Sequence, residues 1–297
     1  MGQDFPITGL RSVDFDVPDL AAATAFYTDI WGLEVAVRGD AVVWLRGTGS
    51  DAYLLALYAA SAPAIRSMTF RAAPDADLAA LAEAMVANGA RLTVPPTTTE
   101  EPGGGTVIAV RDAQGRTIRL VQHDTQVAPL PADPDRPERI AHVNFNSDDV
   151  DRDAAFYTAA LGFTLTDRSK MMAFVRTNSD HHSIVIADAP VNTLNHVAFQ
   201  MASWEGVMRA SGRMVDHRFQ IGWGPGRHGP GNNVFTYFVD PFGFVIEYTS
   251  DVLQVDEHYR VGGPQDWTWP PGRSDQWGIA PPKTLECKAA QLAIPFA

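Results

Sequence analysis

Three residues in this 297-residue chain have types and settings that could act together: His142, His196 and Glu247. Each stands in a short apolar run, in Ile140-Ala141-His142-Val143, His196-Val197-Ala198-Phe199 and Val245-Ile246-Glu247-Tyr248. Two imidazoles and one carboxylate, each on its own strand, make a facial ligand set with coordination positions left open. That set suits Fe(II) in oxygen-activating chemistry, whereas structural zinc takes a closed tetrahedral shell. The plainer alternative is three satisfied polar residues in a core. An unpaired buried glutamate is costly, however, so one ionisable residue on each of three matched strands calls for a cause.

The elements that must position these residues are legible because the chain repeats itself at an offset near 130. Leu10-Arg11-Ser12-Val13-Asp14-Phe15 reads against Ile140-Ala141-His142-Val143-Asn144-Phe145, and Ala25-Phe26-Tyr27-Thr28 against Ala155-Phe156-Tyr157-Thr158. Arg66-Ser67-Met68-Thr69-Phe70 reads against Asn195-His196-Val197-Ala198-Phe199, and the segment Asp112 to Arg119 against Asp240 to Glu247. Where the second half has His142, His196 and Glu247, the first has Ser12, Ser67 and Arg119. The shared fold therefore does not require histidine or glutamate at these points. Residues 129–138, proline-rich and polar, read as a linker between residues 1–128 and residues 139–251.

Within each half the pattern divides again. An alternating strand (residues 12–17 and 142–146) leads into an Ala-rich amphipathic helix (20–31 and 150–161) opened by a capping Asp. Short strands follow, and then strand, helix and strands recur, with Gly89 placed as a helix stop. The expected fold class is α+β: two domains, each a pair of βαβββ modules, with curved mixed sheets and the helices outside.

Composition bounds the function. Hydrophobic residues make up 45% and charged residues 20%, the profile of a soluble globular protein. A formal net charge of -12 argues against a nucleic-acid partner, which needs a basic surface. A lone cysteine, Cys287, excludes a disulfide framework or thiolate zinc site within one chain. No apolar stretch approaches the roughly 20 residues needed to span a bilayer, and no signal peptide is evident at the N-terminus. Met1-Gly2 lacks the Ser or Thr at position 6 that a myristoylation site needs. The expectation is a cytoplasmic protein without membrane or nucleic-acid partners.

The run Gly226 to Glu247 contains His228, Tyr237 nine residues on, Asp240-Pro241-Phe242-Gly243 and then Glu247. In this it resembles the signature of the two-domain type I extradiol (ring-cleaving) dioxygenases of the vicinal oxygen chelate superfamily, and the likeness extends to about Asp251. Thr236 departs from the aliphatic residue or Phe usual in that signature. The resemblance implies one metal in the second half only, Fe(II) or alternatively Mn(II), held by His142, His196 and Glu247. It implies a catechol-type substrate, O2 and a homo-oligomer. His182, in Asp180-His181-His182-Ser183, corresponds to the family's acid–base histidine, and Asn144 to an asparagine near bound oxygen. An arginine that binds substrate carboxylate in one branch is replaced here by Trp223, which implies a substrate without a carboxylate.

Bound catechol would lose its first proton to the metal's field and its second to His182, a group suited to proton transfer near neutral pH. His228 and Tyr237 would hydrogen-bond the substrate and its developing charge. Phe174, Trp223 and Phe235 suggest a pocket for an alkyl or aryl ring substituent. Strand alternation points His181 to solvent, and His123, His217 and His258, outside the motif, are expected at the surface. The tail, residues 252–297, reads as an ordered segment packed on the second domain, either as a pocket cover or as plain packing. Two other readings remain: a metal-dependent glyoxalase-type isomerase or epimerase, and a non-catalytic protein that sequesters a small molecule.

Overall fold

The structure is a computed structural model and describes residues 5–297; the Met1-Gly2 pair lies outside the described residues. The first half opens with β1 (Ile7–Val17), whose alternating apolar residues bury Val13, Phe15 and Val17 completely. Next comes α1 (Leu20–Ala25), continued by a π-helical turn over Phe26–Ile30, then β2 (Glu34–Arg38), β3 (Val42–Arg46) and β4 (Leu55–Ala59). The second module repeats the order with β5 (Ala64–Ala72), α2 (Leu78–Ala87), β6 (Arg91–Thr98), β7 (Thr106–Arg111) and β8 (Thr117–Gln122).

The second half follows the same plan. Its first module is β9 (Arg139–Ser147), α3 (Val150–Leu161), β10 (Thr164–Arg168), β11 (Met172–Arg176) and β12 (Ile184–Asp188). Its second is β13 (Thr193–Gln200), α4 (Trp204–Asp216), β14 (Trp223–Arg227), β15 (Val234–Val239) and β16 (Val245–Ser250). The tail adds α5 (Leu285–Ala290) and β17 (Ile294–Pro295).

Each module's helix begins where an oxygen side chain satisfies N–H groups that have no helical partner: Asp19, Asp77, Asp149 and Ser203 cap α1 to α4. Such a cap contributes about 1 kcal/mol. Gly89 ends the α2 segment at φ 96, a conformation that a side chain would strain.

The two sheets have the same strand order. One runs β2-β3-β4-β1-β5-β8-β7-β6, and the other β10-β11-β12-β9-β13-β16-β15-β14, with β17 added beside β13. Within each, the opening strand of a module pairs in parallel with its last, and the two opening strands pair antiparallel at the centre. Register makes the repeat quantitative: Asp14 faces Ser67 as Asn144 faces His196, and Thr69 faces Arg119 as Ala198 faces Glu247. Ser12, Ser67 and Arg119 thus occupy the places that the second half gives to His142, His196 and Glu247.

The halves share one apolar core. Trp31, fully buried, lies flat on Tyr248 at 3.6 Å, and Phe15 stacks on Phe244 at 4.0 Å. The Tyr27 hydroxyl donates to Asp240 at 2.8 Å, tying α1's extension to the turn before β16. Large stacked rings of this kind contribute roughly 0.5–1.5 kcal/mol per pair beyond the area they bury. The β15–β16 hairpin, which carries Tyr237 and Glu247, is thereby braced from the other half. Among the described residues, no helix is long and apolar enough to cross a membrane.

Candidate metal centre and cavity

Strand periodicity brings the three predicted ligands to one face. His142 pairs with Ala198, Ala198 with Glu247 and Glu247 with Tyr237, so one row crosses β9, β13, β16 and β15. Asn144 and His196, two residues along their strands, form the next row on the same side. His142 Nε2 lies 3.1 Å from His196 Nε2 and 3.3 Å from Glu247 Oε2, and His196 Nε2 lies 3.1 Å from Glu247 Oε2. Two neighbouring ligands of an octahedral ion, each at about 2.1 Å, stand about 3.0 Å apart. The spacing therefore fits one ion with three facial ligands.

The protonation pattern fits as well. Asn195 Oδ1 is 2.9 Å from His196 Nδ1 and also accepts from Gln291 Nε2 at 2.7 Å, so it takes the Nδ1 proton. This leaves Nε2 of His196 as a lone pair aimed at the triad. Glu247 is fully buried; Asn233 Nδ2 donates to Oε1 at 3.3 Å, while Oε2 has no hydrogen-bond partner. Burial pushes the Glu247 carboxyl up, but the adjacent His142 and His196 more than reverse this, and it falls well below the usual carboxylate range. Burial pushes His196 down to about 4. The site thus presents neutral imidazole and ionised carboxylate, the forms that bind a divalent cation.

The corresponding place in the first half is filled by its own charges. Asp14 accepts from Ser67 at 2.6 Å and from Arg119 at 3.1 Å; Arg119 also forks onto Glu101 at 2.8 Å, and Tyr53 donates to Glu101 at 2.8 Å. Arg119's guanidinium takes the role that a metal would have. Among the described residues, His142, His196 and Glu247 are the one group of such ligands close enough to share an ion.

A cavity of about 340 Å³ opens over the triad, lined by His142, Asn144, His182, His196, His228 and Tyr237. Phe174, Trp223, Met171 and Met172 supply apolar wall, and Trp267 and Trp269 of the tail close over it. A larger open groove, about 620 Å³, contains none of these residues. Tyr237 Oη lies 3.0 Å from His228 Nε2 and 3.5 Å from His196 Nε2. Burial lowers His228 to about 3 and raises the Tyr237 phenol well above its ordinary value, with Glu247 adding to the latter. Phe235 does not line the cavity; it stacks behind His228 at 3.9 Å and supports that ring.

His181 departs from expectation. It is fully buried, with Nε2 2.7 Å from Asp167 Oδ2 and Nδ1 3.0 Å from His182 Nδ1. Strand alternation does not govern it, because Asp180 to Ser183 precede β12 as irregular backbone. Fully buried Asp167 also accepts from Tyr259 and from the Gly262 amide, both in the tail. The chain of bonds assigns the tautomers: His181 donates from Nε2 to Asp167 and accepts at Nδ1 from His182, leaving Nε2 of His182 free for the cavity. Burial, then the neighbouring histidines, hold His182 well below its usual value, so it stands ready as a neutral base. Gly231 allows this packing: a Cβ there would meet the His182 ring at 2.7 Å, and its φ of 80 suits glycine. His123, His217 and His258 are exposed.

Sequence reasoning did not find Asn195, Asn233, Gln291, Asp167 or Lys283. Asn195 offered a signal, since it precedes His196 directly where the first half has Arg66. The other four meet the residues they support from separate elements or loops, outside any helical or strand periodicity.

The profile of the Glyoxalase/Bleomycin resistance protein/Dioxygenase superfamily matches residues 9–120 and 139–248. Metapyrocatechase 2 of Cupriavidus necator is 27% identical, with 90% of this chain and 87% of that protein aligned. Biphenyl-2,3-diol 1,2-dioxygenase of Paraburkholderia xenovorans is also 27% identical, over 86% of this chain and 91% of that protein. Among solved structures, the Mn(II)-bound glyoxalase from Novosphingobium aromaticivorans is 33% identical with a TM-score of 0.88, covering 95% of this chain and 94% of that one.

Proposed function

The chain belongs to the glyoxalase/bleomycin resistance protein/dioxygenase superfamily, and we propose that it cleaves the ring of a catechol with O2, placing both oxygen atoms in the product. The observation that carries this reading is the facial triad beside a separate set of proton-handling residues, His182, His228 and Tyr237. His142, His196 and Glu247 would hold Fe(II), with Mn(II) as the alternative. When bound, the metal would activate the diol and O2 and would lower the pKa of the diol's hydroxyl.

The chain's own residues do the rest. Neutral His182 accepts the second hydroxyl proton at Nε2, and its Nδ1–H stays fixed by His181. Asp167 stabilises the charge that then spreads over the two rings. Tyr237 and His228, joined by one hydrogen bond, place a donor beside the oxygen that gains charge during ring opening. Asn144, opposite His196 across the strands, lines the cavity and would offer its amide to O2 there. Phe174, Trp223 and the tail tryptophans hold an apolar ring substituent and exclude water.

A glyoxalase-type isomerase is the second reading, favoured by the name of the Novosphingobium structure. An oxygen electrode separates the two. Anaerobically reconstituted Fe(II) or Mn(II) protein is expected to consume O2 with alkyl- or aryl-catechols and to form a yellow product. No uptake across such a panel, with metal bound, favours the isomerase.

A further inference from the structure

The chain holds three lysines, Lys170, Lys283 and Lys288, against twenty arginines. Two of these three line the cavity above the triad, in a protein of net charge -12. No aspartate or glutamate lines it; Glu247, beneath, belongs to the triad. A local cationic surface of this kind, set against the charge of the whole, draws anions inward.

Lys283 is held in place by its backbone. Pro281 and Pro282 precede it, the Thr284 amide donates to Gly222 at 2.8 Å, and Thr284 caps α5. Its ammonium lies 4.5 Å from the centre of the Trp223 ring, 5.8 Å from that of Tyr237 and 3.0 Å from Gln291 Oε1. Among the described residues no carboxylate comes within ion-pairing distance of it. Gln291 supplies the one hydrogen-bond acceptor for its three N–H groups among the described residues, and the Trp223 and Tyr237 ring faces carry no counter-charge. An ammonium partly withdrawn from water without a counter-charge is unfavourable unless a ligand supplies one. Lys170, exposed at the β10–β11 turn, sits at the rim, where it can steer an anion but not hold it tightly.

We propose that Lys283 recognises an anionic group, a carboxylate at the end of the substrate's apolar ring substituent, with Trp223 packing the stem beneath it. This rests on the ring-cleavage reading and reverses the expectation that Trp223 implies an uncharged substrate. The tail therefore selects the substrate: α5 and the residues before it carry the charge that distinguishes an acid from its ester.

The test compares the two isomers of carboxyethyl-catechol with their methyl esters, in wild type and in Lys283→Met and Lys283→Arg. Oxygen uptake gives KM, and quenching of tryptophan fluorescence on anaerobic Mn(II)-loaded protein gives binding without turnover. The wild type is expected to prefer acid over ester by roughly 10–100-fold in KM and in binding, the worth of one charge-assisted hydrogen bond. Lys283→Met should bring that ratio close to one, and Lys283→Arg should keep it. Because acid and ester are compared within each protein, a variant that merely loosens the fold lowers both and leaves the ratio. A wild type that binds acid and ester alike overturns the proposal while oxygen uptake keeps the ring-cleavage reading. Acid-selective binding that Lys283→Met abolishes, without oxygen uptake, keeps Lys283 as the anion site and overturns the ring-cleavage reading.

Discussion

The Asp167–His181–His182 chain makes a prediction that a single-residue view of catalysis would not. If His182 takes the proton and His181 acts only through it, the two substitutions must be strongly non-additive. Removal of a positioned proton-transfer group costs roughly 10²–10⁴-fold in turnover, so His182→Gln should fall in that range. His181→Gln breaks the 3.0 Å bond that fixes the His182 tautomer. A neutral hydrogen bond is worth about 0.5–1.5 kcal/mol, which corresponds to roughly 2- to 13-fold in rate. It also leaves the fully buried Asp167 carboxylate without its imidazole donor, at about 1–3 kcal/mol of stability. His181→Gln should therefore lower Tm clearly and turnover modestly, and His182→Gln the reverse. The double variant, assayed by oxygen uptake at saturating substrate, should be no slower than His182→Gln alone. A double variant slower by the product of the single effects would show that His181 acts independently, and the relay would fall.

Other expectations follow from the same geometry. Metal analysis should find one Fe(II) or Mn(II) per chain, largely lost in Glu247→Ala and His196→Ala and retained in Ser67→Ala; full occupancy in both ligand variants would remove this site. Arg119→Ala leaves Asp14 and Glu101 without their cation, so denaturant unfolding should show a loss of about 3–5 kcal/mol while metal content holds. Acid should destabilise the metal-free protein. His196 at about 4 and His228 at about 3 bind fewer protons folded than unfolded, where histidine titrates near 6.5. Their contribution is complete above about pH 6.5 and is lost as pH falls toward 4, by up to roughly 1.4 kcal/mol per unit for each group. Asp240, which burial raises to about 7, acts in the opposite sense over the same range, so the check is the Tm difference between wild type and His228→Gln: a difference that does not change from pH 7 to pH 4 would contradict a neutral buried imidazole at His228.

The repeat was the readable part of this sequence, and it was readable because a duplicated fold carries its own control. Helices opened by Asp19 and Asp149, strands of alternating apolar residues and the offset near 130 predicted the module order, and the observed register pairs Ser12, Ser67 and Arg119 with His142, His196 and Glu247 in place. The period-two rule fails at His181 because residues 180–183 are irregular backbone, where nothing fixes which way a side chain points. Asp167, Asn233, Gln291 and Lys283 were silent for a different reason. Each meets its partner from another element or loop: Gln291 reaches Asn195 across 96 residues, and Asp167 and Asn233 reach His181 and Glu247 across 14 each. Such pairings leave no local pattern. For the tail's Trp267 and Trp269 the sequence offers a pocket cover and plain packing alike, because no periodicity relates them to the modules; in the structure both line the cavity.

The central claim is that this site puts molecular oxygen across a carbon–carbon bond next to a diol. Its most direct measurement is a reaction of the Fe(II)- or Mn(II)-loaded protein with a substituted catechol under oxygen-18 gas, with the product read by mass spectrometry. A ring-opened product carrying both labelled atoms is expected, with the carbonyl label counted before it exchanges with water, and no such product from Glu247→Ala. A product that retains its ring, or contains no label although metal is bound, would contradict it.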